Sequence, residues 1–292
     1  MMRTGTISSE KLSAVSDLIR LPRQQGTLLV LWPTLWSLFL ASDGRPPLKV
    51  LVIFVIGTFL MRSAGCAIND VADRGFDPFV ERTRSRPIAS GRLCVREALF
   101  VFAALSLLAF VLVLFLNPFT IVLSFIGIAL ASVYPFVKRV SHWPQAVLGM
   151  AFGWGAVMAW AAVNNALGIV PLLIFAANIF WSIAYDTIYA LMDKDDDIKI
   201  GVKSTALLFG DSVYKALYLL YVCMAIALSL AGYLKGMGAF FFGGVFVSLI
   251  AFIRSVNTVK RTPTRATAWR SFTANAFFGG LVLVFILIDF YI

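Results

Sequence analysis

Long apolar runs, each about the length needed to cross a bilayer, recur along the whole chain and leave little room for any other architecture. Nine can be marked: 24–42, 48–70, 97–116, 118–137, 144–163, 169–191, 214–233, 237–256 and 269–290. A transmembrane helix needs about 20 consecutive apolar residues. Short turn-like breaks separate several runs, among them Asn117-Pro118 and Asn164 to Gly168. Composition agrees: 60% of the 292 residues are hydrophobic and only 14% are charged, where a soluble domain carries about 25% charged residues. The expectation is an all-α integral membrane protein with nine transmembrane helices. Residues 1–23 read as an N-terminal tail and 24–292 as one membrane domain. The run from Thr27 to Ala41 reads as a retained first helix, because its preceding segment is long and mixes Glu10 and Asp17 with basic residues.

The cations set the expected orientation. With the N-terminus inside, the inner loops hold Arg3, Lys11, Arg20 and Arg23, six arginines between the second and third runs, Lys138 and Arg139. The later inner segments add Lys194, Lys199, Lys203, Lys215, Arg254, Lys260, Arg261, Arg265 and Arg270. Arg45, Lys49 and Lys235 fall outside, so the N-terminus is expected in the cytoplasm. The net charge of +10 is thereby a topology signal and calls for no nucleic acid partner. Cys66, Cys94 and Cys223 have no metal-ligand spacing, and His142 is the single histidine, which argues against zinc and against a Ser-His-Asp site.

Two acidic clusters end even-numbered runs and so reach the same side. The first is Asn69-Asp70-Val-Ala-Asp73-Arg-Gly-Phe-Asp77. A continued helix would place its three carboxylates on one face, with Pro78 as the stop. The second runs from Tyr185 to Asp197, with Asp186, Tyr189, Asp193 and Asp197 at spacings that also share one helical face. Carboxylates packed this closely need a cation to stay ionised. Mg²⁺ takes carboxylate oxygens and completes its octahedron with phosphate oxygens. Two such faces suit a diphosphate whose departure leaves an allylic cation for an electron-rich ring to capture. Arg62, one heptad before Asn69, lies within an apolar helix, where an arginine needs a partner or a function. The carboxylates cluster on one membrane side, whereas a transporter, the competing class, would place its site near the midplane.

The motif Asn69 to Asp77, paired with Tyr185-Asp186-x-x-Tyr189-x-x-x-Asp193, resembles the UbiA superfamily of intramembrane prenyltransferases. The likeness extends to Leu31-Trp-Pro-Thr-Leu-Trp36, Met61-Arg62-Ser-Ala-Gly65-Cys66, Arg82-Thr83, Arg86-Pro87 and Val133-Tyr134-Pro135-Phe136-Val-Lys138-Arg139. It is most specific in Asp193-Lys-Asp-Asp-Asp197-Ile-Lys-Ile-Gly201-Val-Lys203-Ser204-Thr205, which is similar to the branch acting on 4-hydroxybenzoate. The resemblance implies a bundle around a central cavity open to lipid and Mg²⁺ dependence. It further implies transfer of a polyprenyl group from polyprenyl diphosphate to the carbon ortho to the phenol, in ubiquinone biosynthesis. Other aromatic acceptors within the superfamily are the nearest alternative. Asp70, Asp73, Asp77, Asp193 and Asp197 are then the candidate metal ligands, and Asp186 joins them in the catalytic set. Asn69, Arg62, Arg82, Arg86 and Lys203 are the diphosphate-binding candidates. Arg139 is placed on the acceptor's carboxylate, and Tyr134 and Tyr189 beside the cation. A bacterial inner membrane, with the site towards the cytoplasm, is the expected location.

Overall fold

The computed structural model describes residues 4–292; Arg3, counted above among the inner cations, lies outside the described residues. Among the described residues there are helices and turns and no strand. In chain order the helices are α1 (Thr4–Leu18), α2 (Gln25–Ala41), α3 (Leu48–Asp73), α4 (Val95–Val113), α5 (Pro118–Val137) and α6 (Pro144–Asn164). They continue with α7 (Ile169–Ala190), α8 (Lys194–Ile200), α9 (Thr205–Phe209), α10 (Val213–Leu234), α11 (Ala239–Arg261) and α12 (Arg265–Tyr291). Eight segments are long and apolar enough to cross a membrane, and α2, an apolar helix of 17 residues, is the shorter ninth. All nine expected runs are therefore helices. The segment expected as a tail is largely helix too: α1 lies against α3 and α4 and packs Ala14 and Leu18 on Ala67, Val71, Leu93 and Ala98.

The breaks fall where local chemistry demands them. Asn117 caps α5 by accepting the Thr120 N–H at 2.8 Å, and Pro118 occupies the first turn, where its missing N–H costs nothing. The Asn117 side-chain amide also donates to the Ala161 carbonyl at 2.8 Å, fastening α5 to the end of α6. Asn165 closes α6 in the left-handed region, at φ 50°.

The membrane helices form a closed ring in which consecutive helices neighbour one another and α12 returns to α2. Lipid tails are as apolar as leucine, so association depends on close packing and interhelical hydrogen bonds. Both are present. A Cβ at Gly149 would sit 2.9 Å from the Ile179 Cα, so glycine is what lets α6 approach the α7 backbone. The Asn178 amide donates to the Gly149 carbonyl at 2.8 Å across the same seam. The ring is closed by Trp32, which donates to the Ala276 carbonyl, and Trp36, which donates to the Gly279 carbonyl at 3.0 Å.

The two halves of the ring differ. Where α7, α10, α11 and α12 meet α2, the interior is filled by Trp36, Trp181, Tyr185, Tyr221 and Phe252, all almost fully buried. Tyr221 stacks on Phe252 at 4.7 Å between centroids. Where α2 to α6 meet, a cavity remains, enclosing about 890 Å³ of empty space including its mouth.

Candidate active site

The first acidic motif straddles the end of α3. Asn69, Asp70 and Asp73 occupy its last turns, but the helix ends at Asp73, earlier than a stop at Pro78 would place it. Asp77 instead opens a separate 3-10 turn, Asp77–Phe79, after the chain folds back through Phe76. The three carboxylates still meet, because the loop that follows brings Arg86 among them. Its Nη1 lies 3.0 Å from Asp77 Oδ2, 3.4 Å from Asp70 Oδ1 and 3.6 Å from Asp73 Oδ2. Lys138, at the end of α5, reaches Asp73 Oδ1 at 2.6 Å, and Asn69 donates to Asp73 Oδ2 at 3.1 Å. Burial pushes the Asp77 carboxyl above its usual range, against the pull of Arg86. Burial likewise opposes the charge of Arg86, but Asp70 and Asp77 outweigh it and hold the guanidinium above its ordinary value.

The second motif is interrupted as well. Helix α7 ends at Ala190, Asp193 sits at the junction before α8, and Asp197 lies within α8. One continuous helical face from Asp186 to Asp197 does not form, since the chain turns over Leu191 to Asp193. Arg82 grips Asp193 through Nε at 3.1 Å and Nη2 at 2.6 Å, a two-pronged guanidinium–carboxylate contact. The same side chain donates to the Tyr189 hydroxyl and lies 4.6 Å from that ring's centroid. Phe272 packs on Tyr189 at 4.8 Å. Asp186, half-buried within α7, feels the charges of Arg82, Lys138 and Arg62. Burial, and next the Asp193 carboxylate, push Asp197 up to about 7. Lys138 and Arg82 also act on Asp197, so the two motifs share one electrostatic environment. Across the top, Arg265 at the start of α12 binds Glu81 at 2.5 Å and Asp196 at 3.2 Å, joining the loop after α3 to α8.

Arg62 lies eight residues before Asp70, about 12 Å deeper along the helix. It lines the cavity with Tyr134 and Phe152, touches Cys66, and its buried Nε lacks a hydrogen-bond partner. Small residues such as Gly57, Gly127 and Gly155 form the cavity walls, and Val113 and Leu116 lie at its other end. The remaining candidates sit elsewhere. Arg139 donates to the Ala72 carbonyl and lies between Phe76 and Phe136, which makes it a brace on the end of α3. It is not among the residues that line the cavity. Lys203 donates from its backbone to the Lys138 carbonyl and from Nζ to the Val140 carbonyl, tying two loops together.

Two residues of the cluster are not among the candidates that the sequence offers. Lys138 stands inside a motif given above, but by its position alone it reads as a topology cation. Arg20 donates to Asp70 Oδ1 at 2.7 Å from fifty residues away, and no local spacing announces it.

The donor set fits Mg²⁺. The hard carboxylate oxygens of Asp70, Asp73 and Asp77 gather around Arg86, and Asp70 Oδ2 is buried without a hydrogen-bond partner. Among the described residues no group of three His, Cys, Asp or Glu side chains is arranged to hold a metal ion by itself. Mg²⁺ usually takes one or two carboxylates and fills its remaining positions with water and substrate phosphate.

Residues 30–282 match the model of the UbiA prenyltransferase family. Proteins described as 4-hydroxybenzoate octaprenyltransferase are similar over nearly the whole length. The one from Nitrosococcus oceani is 46% identical, covering 94% of this chain and 95% of its own. The one from Azotobacter vinelandii is 48% identical, covering 94% and 92%. Among solved structures, the apo form of a UbiA homolog from Aeropyrum pernix superposes with a TM-score of 0.80 at 25% identity, covering 91% of this chain and 98% of that one. A UbiA homolog from Archaeoglobus fulgidus, bound to GPP and Mg²⁺, shares the fold with a TM-score of 0.70 at 18% identity, covering 96% and 100%.

Proposed function

The chain belongs to the UbiA prenyltransferase family, and from that premise we propose that it transfers a polyprenyl group from polyprenyl diphosphate to the ring carbon ortho to the hydroxyl of 4-hydroxybenzoate, in ubiquinone biosynthesis. The observation that carries the reading is that two acidic motifs are each held by an arginine of one loop, the first motif about two turns along α3 from Arg62, which lines an apolar cavity. The near full-length likeness to 4-hydroxybenzoate octaprenyltransferases supports the acceptor. The positive-inside pattern supports a site on the cytoplasmic side of a bacterial inner membrane.

Asp70, Asp73, Asp77, Asp193 and Asp197 would hold Mg²⁺, which when bound neutralises charge on the departing diphosphate. Arg82, Arg86 and Lys138 already lie among these carboxylates and supply donors for phosphate oxygens. The prenyl chain extends into the cavity walled by glycines and apolar side chains, which keeps water from the allylic cation. The face of Tyr189, against which Arg82 already packs, suits a positive charge, and Tyr134 lines the cavity. Arg62 is the charged group inside that cavity with an unpartnered donor, and it suits the acceptor's carboxylate better than Arg139 does. The ring carbon attacks the cation, forming the new carbon–carbon bond, and then gives its proton to the released diphosphate or to an aspartate, regaining aromaticity.

The purified protein, given geranyl diphosphate and 4-hydroxybenzoate, is expected to form the ortho-prenylated product with Mg²⁺ and none with EDTA. Turnover only with a different aromatic acceptor would move the protein to another branch of the family. Absence of turnover with every acceptor and donor length, in folded protein, would reject the catalytic reading.

A further inference from the structure

Asp70 is 1% exposed, yet its two oxygens are treated very differently. Oδ1 carries two cations, Arg20 at 2.7 Å and Arg86 at 3.4 Å. Oδ2 is buried and has no hydrogen-bond partner. A buried anionic oxygen without a donor is costly unless a ligand meets it.

Arg20 does not arrive by chance of a mobile side chain. It follows α1, its backbone lies in the left-handed region at φ 57°, and its carbonyl accepts from the Gln24 amide at 3.0 Å. Its Nη1 donates to the Asp17 carbonyl at 2.7 Å, which aligns the guanidinium while Nη2 meets Asp70. Asp17 in turn binds Arg92 at 2.7 Å, and Arg92 donates to the Ser85 carbonyl at 3.0 Å, on the loop that carries Arg82 and Arg86. Leu18 and Ala14 seat the helix on α3 and α4. The N-terminal segment is thus built into the support of the first acidic motif.

We propose that Arg20 is a positioning residue for the metal site: by fixing Oδ1 of Asp70, it reserves Oδ2 for a divalent cation. The inference rests on the magnesium reading above. Groups that orient a metal-binding carboxylate from behind are worth on the order of 10–100-fold in metal affinity.

The test is Mn²⁺ binding to the full-length protein in detergent, followed by electron paramagnetic resonance, beside Mg²⁺ titrations of prenyl transfer. Arg20→Ala is expected to raise the Mn²⁺ Kd by about 10–100-fold and to shift half-saturating Mg²⁺ more than kcat. Arg20→Lys, which keeps the charge, is expected to recover most of the affinity. Lys11→Ala, which removes the exposed ion pair between Lys11 of α1 and Glu97 of α4, is expected to bind Mn²⁺ as the parent does. Should Arg20→Ala fail to fold, Arg20→Gln keeps side-chain donors without the charge and replaces it. Folded Arg20→Ala or Arg20→Gln protein with the parent's Mn²⁺ Kd would overturn the proposal. Failure of the parent to bind Mn²⁺ at all would sink the magnesium reading, and this inference with it.

Discussion

Arg82 and Arg86 show how single side chains tie this site together. Each stands on a carboxylate of a different motif, so both motifs are held by one loop. Exchanging Asp73 or Asp193 for asparagine keeps the shape but removes an anionic oxygen, and transfer is expected to fall by at least about a hundredfold. Product formation by the purified variants, with insertion checked by membrane fractionation, measures it. Asp197 predicts a pH response. Its carboxyl is raised to about 7 by burial and by Asp193, so it loses its proton only as the pH rises through that value. A metal needs the ionised form, so half-saturating Mg²⁺ is expected to fall by up to about tenfold per pH unit below 7 and to level off above it. A profile flat between pH 6 and 8 would remove Asp197 from the metal set. The residue scale was only partly legible in the sequence. The aspartates stand out because charge is rare in apolar surroundings. Arg20 does not, because a cation beside a membrane helix looks the same whether it serves topology or a buried carboxylate.

Helices were the most legible level, since each span needs an apolar run and each run became a helix. Their ends were not. Asp77, Asp193 and Asp197 were placed by helical spacing, yet each lies beyond the end of its parent helix, and the loop arginines bring the carboxylates together instead. Helix propensity and periodicity carry no information about such tertiary contacts. Two seams lend themselves to measurement. Gly149→Leu would force α6 away from the α7 backbone, and overpacking of this kind costs about 1–3 kcal/mol. Asn117→Ala removes the α5 cap and is expected to cost about 0.5–2 kcal/mol. Thermal unfolding of both variants in detergent gives the comparison, with the glycine change the more damaging if the seam is as tight as its geometry.

At the scale of the whole molecule, the ring divides its labour. One half is packed solid with aromatic side chains, and the other keeps the cavity. No sequence period distinguishes these halves, because both are apolar and the difference lies in which side chains interlock. Filling the empty half tests its role. Gly127→Trp places a bulky ring in the wall and is expected to raise the KM for long prenyl donors more than for geranyl diphosphate, with insertion intact. Equal effects on both donors would show that the tail does not lie along that wall.

The locking of α12 onto α2 bears on how the protein is made. Trp32 and Trp36, near the start of the chain, find their carbonyl partners at Ala276 and Gly279, and Arg265 joins the two loops over the acidic cluster. While the ribosome is still translating α12, Trp32 and Trp36 of α2 lack these carbonyl partners and the loops have no clasp. The clasp over the acidic cluster therefore forms only once α12 has been made, however early the other helices pack.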